Sequence, residues 1–136
     1  MSDFSQYQYI GAASDQADYY LIDSDILLAV AKANMIDTPQ LAQANADFQT
    51  TYIRQLGKKG ATIVIMSDIL AQDAVSRRIY SDLLDTGLFY GLALVVDKPL
   101  SRALASFIIG FSKTKVPTKL FDTVEKAIEW LRTIRP

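Results

Sequence analysis

The sequence contains no cysteine and no histidine. In this chain that excludes disulfides, thiol nucleophiles, histidine general bases, histidine-bearing triads and zinc sites of the Cys/His type. Its six glycines are scattered, and none falls into a GxGxxG or Walker A pattern, so no phosphate-cradling loop is expected. The longest apolar runs, residues 88–96 and 104–111, fall well short of the roughly 18 residues a membrane-spanning helix needs. The first residues, Met1-Ser2-Asp3-Phe4, lack a basic start, and no apolar stretch follows, so no signal peptide and a cytoplasmic location are expected. Serine paired with lysine, through Ser101 or Ser112, is the one nucleophile arrangement left, and nothing in the sequence desolvates such a lysine. No cofactor, no metal and no enzymatic activity are expected.

What remains is a chain of 136 residues, half of them apolar, with mean hydropathy +0.13. Such a chain buries a core without metals or disulfides. Its formal net charge is −1, which gives no global attraction for nucleic acid. The distribution is uneven. Residues 1–50 carry seven acids and one base, whereas residues 98–121 carry Lys98, Arg102, Lys113, Lys115 and Lys119 with no acid. Such asymmetry reads as acidic and basic surfaces meeting within the fold or across a dimer, or as an anion site.

Periodicity divides the chain into elements. Residues 1–16 are polar and read as an N-terminal arm or a short edge strand, leaving 17–136 as a single domain. Residues 18–22 and 26–31 read as strands joined by the turn residues Asp23-Ser24-Asp25. Thr38-Pro39 is an N-cap followed by proline at the first helical position. Leu41, Ala44, Phe48, Tyr52 and Leu56 then mark one helical face, closed by Gly57. Residues 61–66 form a continuous β-branched strand of the kind buried on both faces. Val75, Ile79 and Leu83 mark a second helix, 88–96 another strand, 99–112 a third helix and 118–121 a short strand. Asp122, with Glu125 three residues on, reads as the cap of a last helix buried through Val124, Ala127, Ile128, Leu131 and Ile134. Strands alternating with helices imply an α/β fold with a largely parallel sheet.

In such sheets ligands bind beyond the carboxyl ends of the strands. Each of those ends carries an aspartate: Asp37, Asp68, Asp97 and Asp122. Gathered together they would suit Mg²⁺; taken singly, aspartate is what satisfies the free N–H groups where strands hand over to helices. The third helix is apolar over more than one stripe, through Leu100, Leu104, Phe107, Ile108, Ile109 and Phe111. It is expected either to be buried on two sides or to offer a second contact surface.

The C-terminal half carries Leu92-Ala93-Leu94-Val95-Val96-Asp97, then Ser101-Arg102-Ala103 through Phe107-Ile108-Ile109-Gly110-Phe111. It continues with Pro117-Thr118-Lys119-Leu120-Phe121 and Ala127-Ile128-Glu129-Trp130-Leu131. Over residues 88–132 this resembles the SpoIIAA-like (STAS-like) proteins. The resemblance implies a four- or five-stranded, mostly parallel sheet with an N-terminal β-hairpin and about four helices. The better-known STAS relatives are anti-sigma-factor antagonists that bind a kinase. They are switched by phosphorylation at the start of the helix after the central strand, where they carry Asp-Ser-Ser-Gly. Here the region reads Gln72-Asp73-Ala74-Val75-Ser76. Asp73 matches, Ala74 and Val75 stand in place of the hydroxyls, and Ser67 and Ser76 are the nearest alternatives. The phosphoswitch is therefore not carried over.

The function expected is a non-enzymatic regulatory or protein-interaction module, homodimeric and docking a protein partner through residues 67–78 and the third helix. The alternative is a binder of a small apolar or anionic ligand, an amphiphile or lipid. Its tail would lie against Phe107, and its headgroup would meet Lys98, Arg102, Lys113 and Lys115. The candidate binding residues are Ser67, Asp68, Asp73, Ser76, Lys98, Arg102 and Phe107, with neither nucleic acid nor a membrane span among the partners.

Overall fold

The computed structural model describes residues 4–96 and 115–136. The expected helix over 99–112, and with it Asp97, Lys98, Ser101, Arg102, Phe107, Ser112 and Lys113, lies outside the described residues. The main sheet is built from β1 (Gln8–Ser14), β2 (Ala17–Ile22), β3 (Ile26–Ala31), β5 (Gly60–Ile65), β7 (Phe89–Val95) and β8 (Thr118–Phe121), in that spatial order. It therefore has six strands rather than the four or five expected. The extra strand is β1, which pairs antiparallel with β2 through two register shifts. β2 and β3 are also antiparallel, and the pairs β3–β5, β5–β7 and β7–β8 are parallel. A second, two-stranded parallel sheet, β4 (Met35–Asp37) with β6 (Ile69–Gln72), was not foreseen. Its strands are only three and four residues long, too short to stand out as a period.

Among the described residues three helices, α1 (Pro39–Leu56), α2 (Ala74–Leu84) and α3 (Val124–Ile134), cover the sheet. Alternation along each strand sends side chains to opposite faces. Leu27 and Ala29 of β3 and Leu92 and Leu94 of β7 join the core under α1 and α2. Ile26 and Leu28, with Ala93 and Val95, join the core under α3. Helix α3 buries Ala127, Ile128 and Leu131 as its spacing predicts. It packs so closely that a Cβ on Gly91 would lie 2.8 Å from Leu131 Cδ2.

Helix boundaries follow the expected chemistry, with one correction. Thr38 Oγ1 accepts from Leu41 N at 3.3 Å, and Gly57 closes α1 in the left-handed conformation at φ 72°. The cap of α3 is Thr123, not Asp122: Thr123 Oγ1 accepts from Lys126 N at 3.2 Å. Asp122, one residue earlier, instead pairs with the Lys126 ammonium at 3.0 Å.

A larger correction concerns which helix faces are buried. The deep face of α1 is Ala42, Asn45, Ala46, Gln49 and Ile53, not the Leu41-Phe48-Tyr52 stripe. That apolar stripe turns sideways, where Phe48 stacks on Tyr19 at 4.5 Å between ring centres and packs beside Gly11 of β1. On α2 the buried residues are Ser76, Tyr80, Leu83 and Leu84, while Val75 faces outward. Both helices have turned polar groups inward, and the cause lies in what those groups meet.

Candidate functional site

The inner faces of α1 and α2 and the small sheet line a cavity of about 50 Å³ against β2, β3, β5 and β7. Most of its lining is apolar, including Ala29, Met35, Ile69, Leu83 and Leu92. Polar side chains enter it in a directed series. Thr62 Oγ1 donates to Gln49 Oε1 at 2.8 Å. Gln49 Nε2 donates to the Tyr19 hydroxyl at 3.0 Å, which donates to Asn45 Oδ1 at 2.9 Å. Asn45 Nδ2 donates to the Tyr80 hydroxyl at 3.1 Å, and Tyr80 hydrogen-bonds to Asp37. Each donor points one step nearer to Asp37, an arrangement in which hydrogen bonds polarise one another.

Asp37 ends β4 and is 1% exposed. The strand fixes its backbone. Its carbonyl accepts from Ser76 Oγ at 2.8 Å and from Asp73 N at 3.4 Å. Gln72, the residue paired with it across the small sheet, donates from Nε2 to Asp37 Oδ2 at 3.0 Å. Asp37 Oδ1 and Gln72 Oε1 are both buried and have no partner among the described residues. Burial pushes the Asp37 carboxyl above the usual carboxylate range, against the opposing pull of the bonds from Gln72 and Tyr80. Burial also raises Tyr80 and Tyr19, so both stay protonated donors at neutral pH.

The small sheet is two-faced. Met35 and Asp37 of β4 and Ile69 of β6 line the cavity. Next to them in sequence, Ile36 and Leu70 point outward and are 59% and 56% exposed. Val75, in the first turn of α2, is 54% exposed. An apolar patch thus sits at the carboxyl edge of the main sheet, on the outer side of the wall whose inner side holds Asp37.

The residues singled out from sequence fall around this edge. Ser67 and Asp68 are half-buried in the link from β5 to β6, and the Asp68 carbonyl accepts from Met35 N at 2.9 Å. Asp73 is exposed and caps α2, its Oδ1 accepting from Val75 N at 2.7 Å. Ser76 is fully buried, and its hydroxyl is committed to the Asp37 carbonyl. Lys98, Arg102 and Phe107 lie outside the described residues. The rim aspartates are separate in character: Asp37 is buried, Asp68 half-buried, and Asp122 paired with Lys126. Among the described residues no three carboxylates gather as a metal site would require, and no helix is long and apolar enough to cross a membrane. Sequence reasoning named Asp37 but missed Asn45, Gln49, Gln72 and Tyr80. The available signal was Asn45 and Gln49 at four-residue spacing, interleaved with Ala42, Ala46 and Ile53.

At the opposite end of the sheet a second polar cluster ties the chain together. The β2–β3 turn holds Asp23 at φ 62° and Ser24 at φ 91°. Arg132 grips Asp23 with two bonds, of 2.7 and 2.8 Å. Arg135 grips Asp25 with two more, of 2.7 and 2.8 Å, and the Tyr90 hydroxyl donates to Asp25 at 2.9 Å. The acidic N-terminal part and the basic C-terminal part of the sequence meet here.

No curated protein matches the chain. Among solved structures it is similar to a proposed anti-sigma factor antagonist from Thermotoga maritima, with a TM-score of 0.55 and 17% sequence identity over 84% of this chain and 92% of that one. At that identity the likeness is one of fold, and it agrees with the STAS-like architecture. A family model described as a domain of unknown function (DUF7793) matches residues 20–135. The protein thus has a STAS-like α/β fold, and it belongs to the DUF7793 family.

Proposed function

We propose that this chain is a non-enzymatic regulatory module that docks a protein partner through the carboxyl edge of its sheet. The observation that carries this reading is the outward apolar patch of Ile36, Leu70 and Val75, set on short elements whose other side is anchored in the core. Apolar side chains held out on a rigid wall favour association, because burying them removes apolar area from water at no ordering cost to the wall. The patch overlaps residues 67–78, and the similar Thermotoga maritima structure is described as that of a proposed anti-sigma factor antagonist. Self-association as a homodimer is a second use of the same surface.

The test uses the double variant Ile36→Ser, Leu70→Ser. Both side chains are exposed, so unfolding stability is expected to stay within about 0.5 kcal/mol of wild type. The tagged wild-type chain should retain a protein that the variant loses. That protein, once purified, should shift the amide resonances of Ile36, Leu70 and Val75 in the wild-type chain. Retention by both chains, or shifts confined elsewhere, would contradict the reading. Sedimentation of the two chains alone separates self-association from a foreign partner.

A further inference from the structure

The cavity beneath the small sheet poses a problem that the docking surface does not solve. Two acceptors, Asp37 Oδ1 and Gln72 Oε1, are buried without partners, and one belongs to a carboxylate that is 1% exposed. A buried acceptor without a donor is costly, and a buried carboxylate without a counter-charge more so. Among the described residues Asp37 nonetheless has only neutral side-chain partners: Gln72 and Tyr80 at its carboxyl and Ser76 at its carbonyl. The hydrogen-bond series from Thr62 delivers only donors toward it. Such a setting leaves the second oxygen of Asp37 for something else. What would satisfy both open acceptors is a group with at least two N–H donors and a positive charge. The remaining walls, from Ala29, Met35, Ile69, Leu83 and Leu92, ask for a short aliphatic body. At about 50 Å³ there is room for only a few heavy atoms.

We infer that this cavity is a binding site for a small primary amine, with the ammonium held between Asp37 Oδ1 and Gln72 Oε1 and the alkyl carbons against Met35, Ile69 and Leu83. The site selects against anions, since the open group in its lining, Asp37 Oδ1, is an acceptor. Its charge preference is the reverse of that expected from the sequence for an amphiphile site over residues 98–115. The site stands independently of the docking reading, because the inner side of the small sheet is concerned and not its outer side.

Three probes of nearly equal size and different charge decide the matter: ethylammonium, ethanol and acetate, each titrated into the whole chain and followed by amide and methyl resonances. Ligands of this size are limited to roughly millimolar affinity, so titration extends into the tens of millimolar. The expected order is ethylammonium first, ethanol weaker by at least about tenfold, and acetate silent. The shifts should centre on the Met35 methyl and on residues 36–37, 69 and 72. Asp37→Asn should lower ethylammonium affinity by about tenfold or more, bringing it level with ethanol. Gln72→Met, which keeps the volume and removes one acceptor, should lower it by about three- to tenfold and serves if the Asp37 variant folds poorly. Equal binding of all three probes, preference for acetate, shifts away from the cavity, or ethylammonium affinity unchanged in both variants would overturn the assignment. So would a cavity that holds water only, with no probe binding at any concentration used.

Discussion

Two aspartates are buried among the described residues, one beside the β2–β3 turn of the main sheet and one at the end of the small sheet, and they are treated in opposite ways. Asp25, 4% exposed, sits where the β2–β3 turn meets the C-terminal segment. Both of its oxygens are bonded: Arg135 reaches it with two nitrogens and Tyr90 with a hydroxyl. Its charge is cancelled and its bonding capacity used. Asp37 lies at the carboxyl edge with neutral partners and one oxygen empty. A fold that completes one buried carboxylate has the means to complete the other. The first arrangement joins distant parts of the chain and serves stability. The second gives up stability locally, as sites prepared for a ligand do.

The comparison is broken most forcefully at the hairpin end. Arg135→Met leaves Asp25 buried with Tyr90 alone. Removing one partner of a fully buried pair costs roughly 3–5 kcal/mol. Because 32% of the Arg135 side chain meets water, the expected loss is nearer 2–3 kcal/mol in urea unfolding. Next comes the interior of the hydrogen-bond series. Asn45→Leu removes the link between Tyr19 and Tyr80 and should cost about 2 kcal/mol, measured the same way. Asp37→Asn should act in the other direction. It keeps the shape, removes the uncompensated charge and supplies a donor, so stability at pH 7 should rise by about 1 kcal/mol in thermal or urea unfolding.

The smallest effect separates the two ends by pH. Arg132 and Arg135 hold the Asp23 carboxyl down at about 2, below its unfolded value of 3.8. A lowered carboxylate contributes stability above the unfolded value and loses it as pH falls toward the folded one. Acid unfolding between about pH 4 and 2 should therefore be shallower in Asp23→Ser than in wild type. Asp37 carries the opposite sign. A raised carboxyl favours the fold fully below the unfolded value, and that contribution fades as pH rises through the folded value. Asp37→Asn should remove this upper dependence and leave the acid limb unchanged.

How much of this was legible beforehand follows from which signals are local. Caps, turns and strand runs depend on near neighbours, so Thr38-Pro39, Gly57 and the 61–66 strand could be read directly. The rotation of α1 could not. Its richest apolar stripe serves the side packing with β1, while Asn45 and Gln49 go inward because Tyr19 and Thr62, on other elements, satisfy them. A polar residue facing the core is recognisable only when its partners are known. Asp37 was named among four rim aspartates by its place after a strand; its burial depended on the small sheet, whose strands were too short to register. The Arg132 and Arg135 pairs were foreshadowed only as a charge asymmetry between the two parts of the chain.

Asp37 stands as a buried carboxylate with no compensating charge among the described residues. Carbon-13 observation of its side-chain carboxyl through a pH titration of the folded, ligand-free protein addresses this directly. A midpoint above the ordinary aspartate range, moving down when ethylammonium is added, is the predicted result. A midpoint at or below that range, unmoved by the amine, would contradict the account.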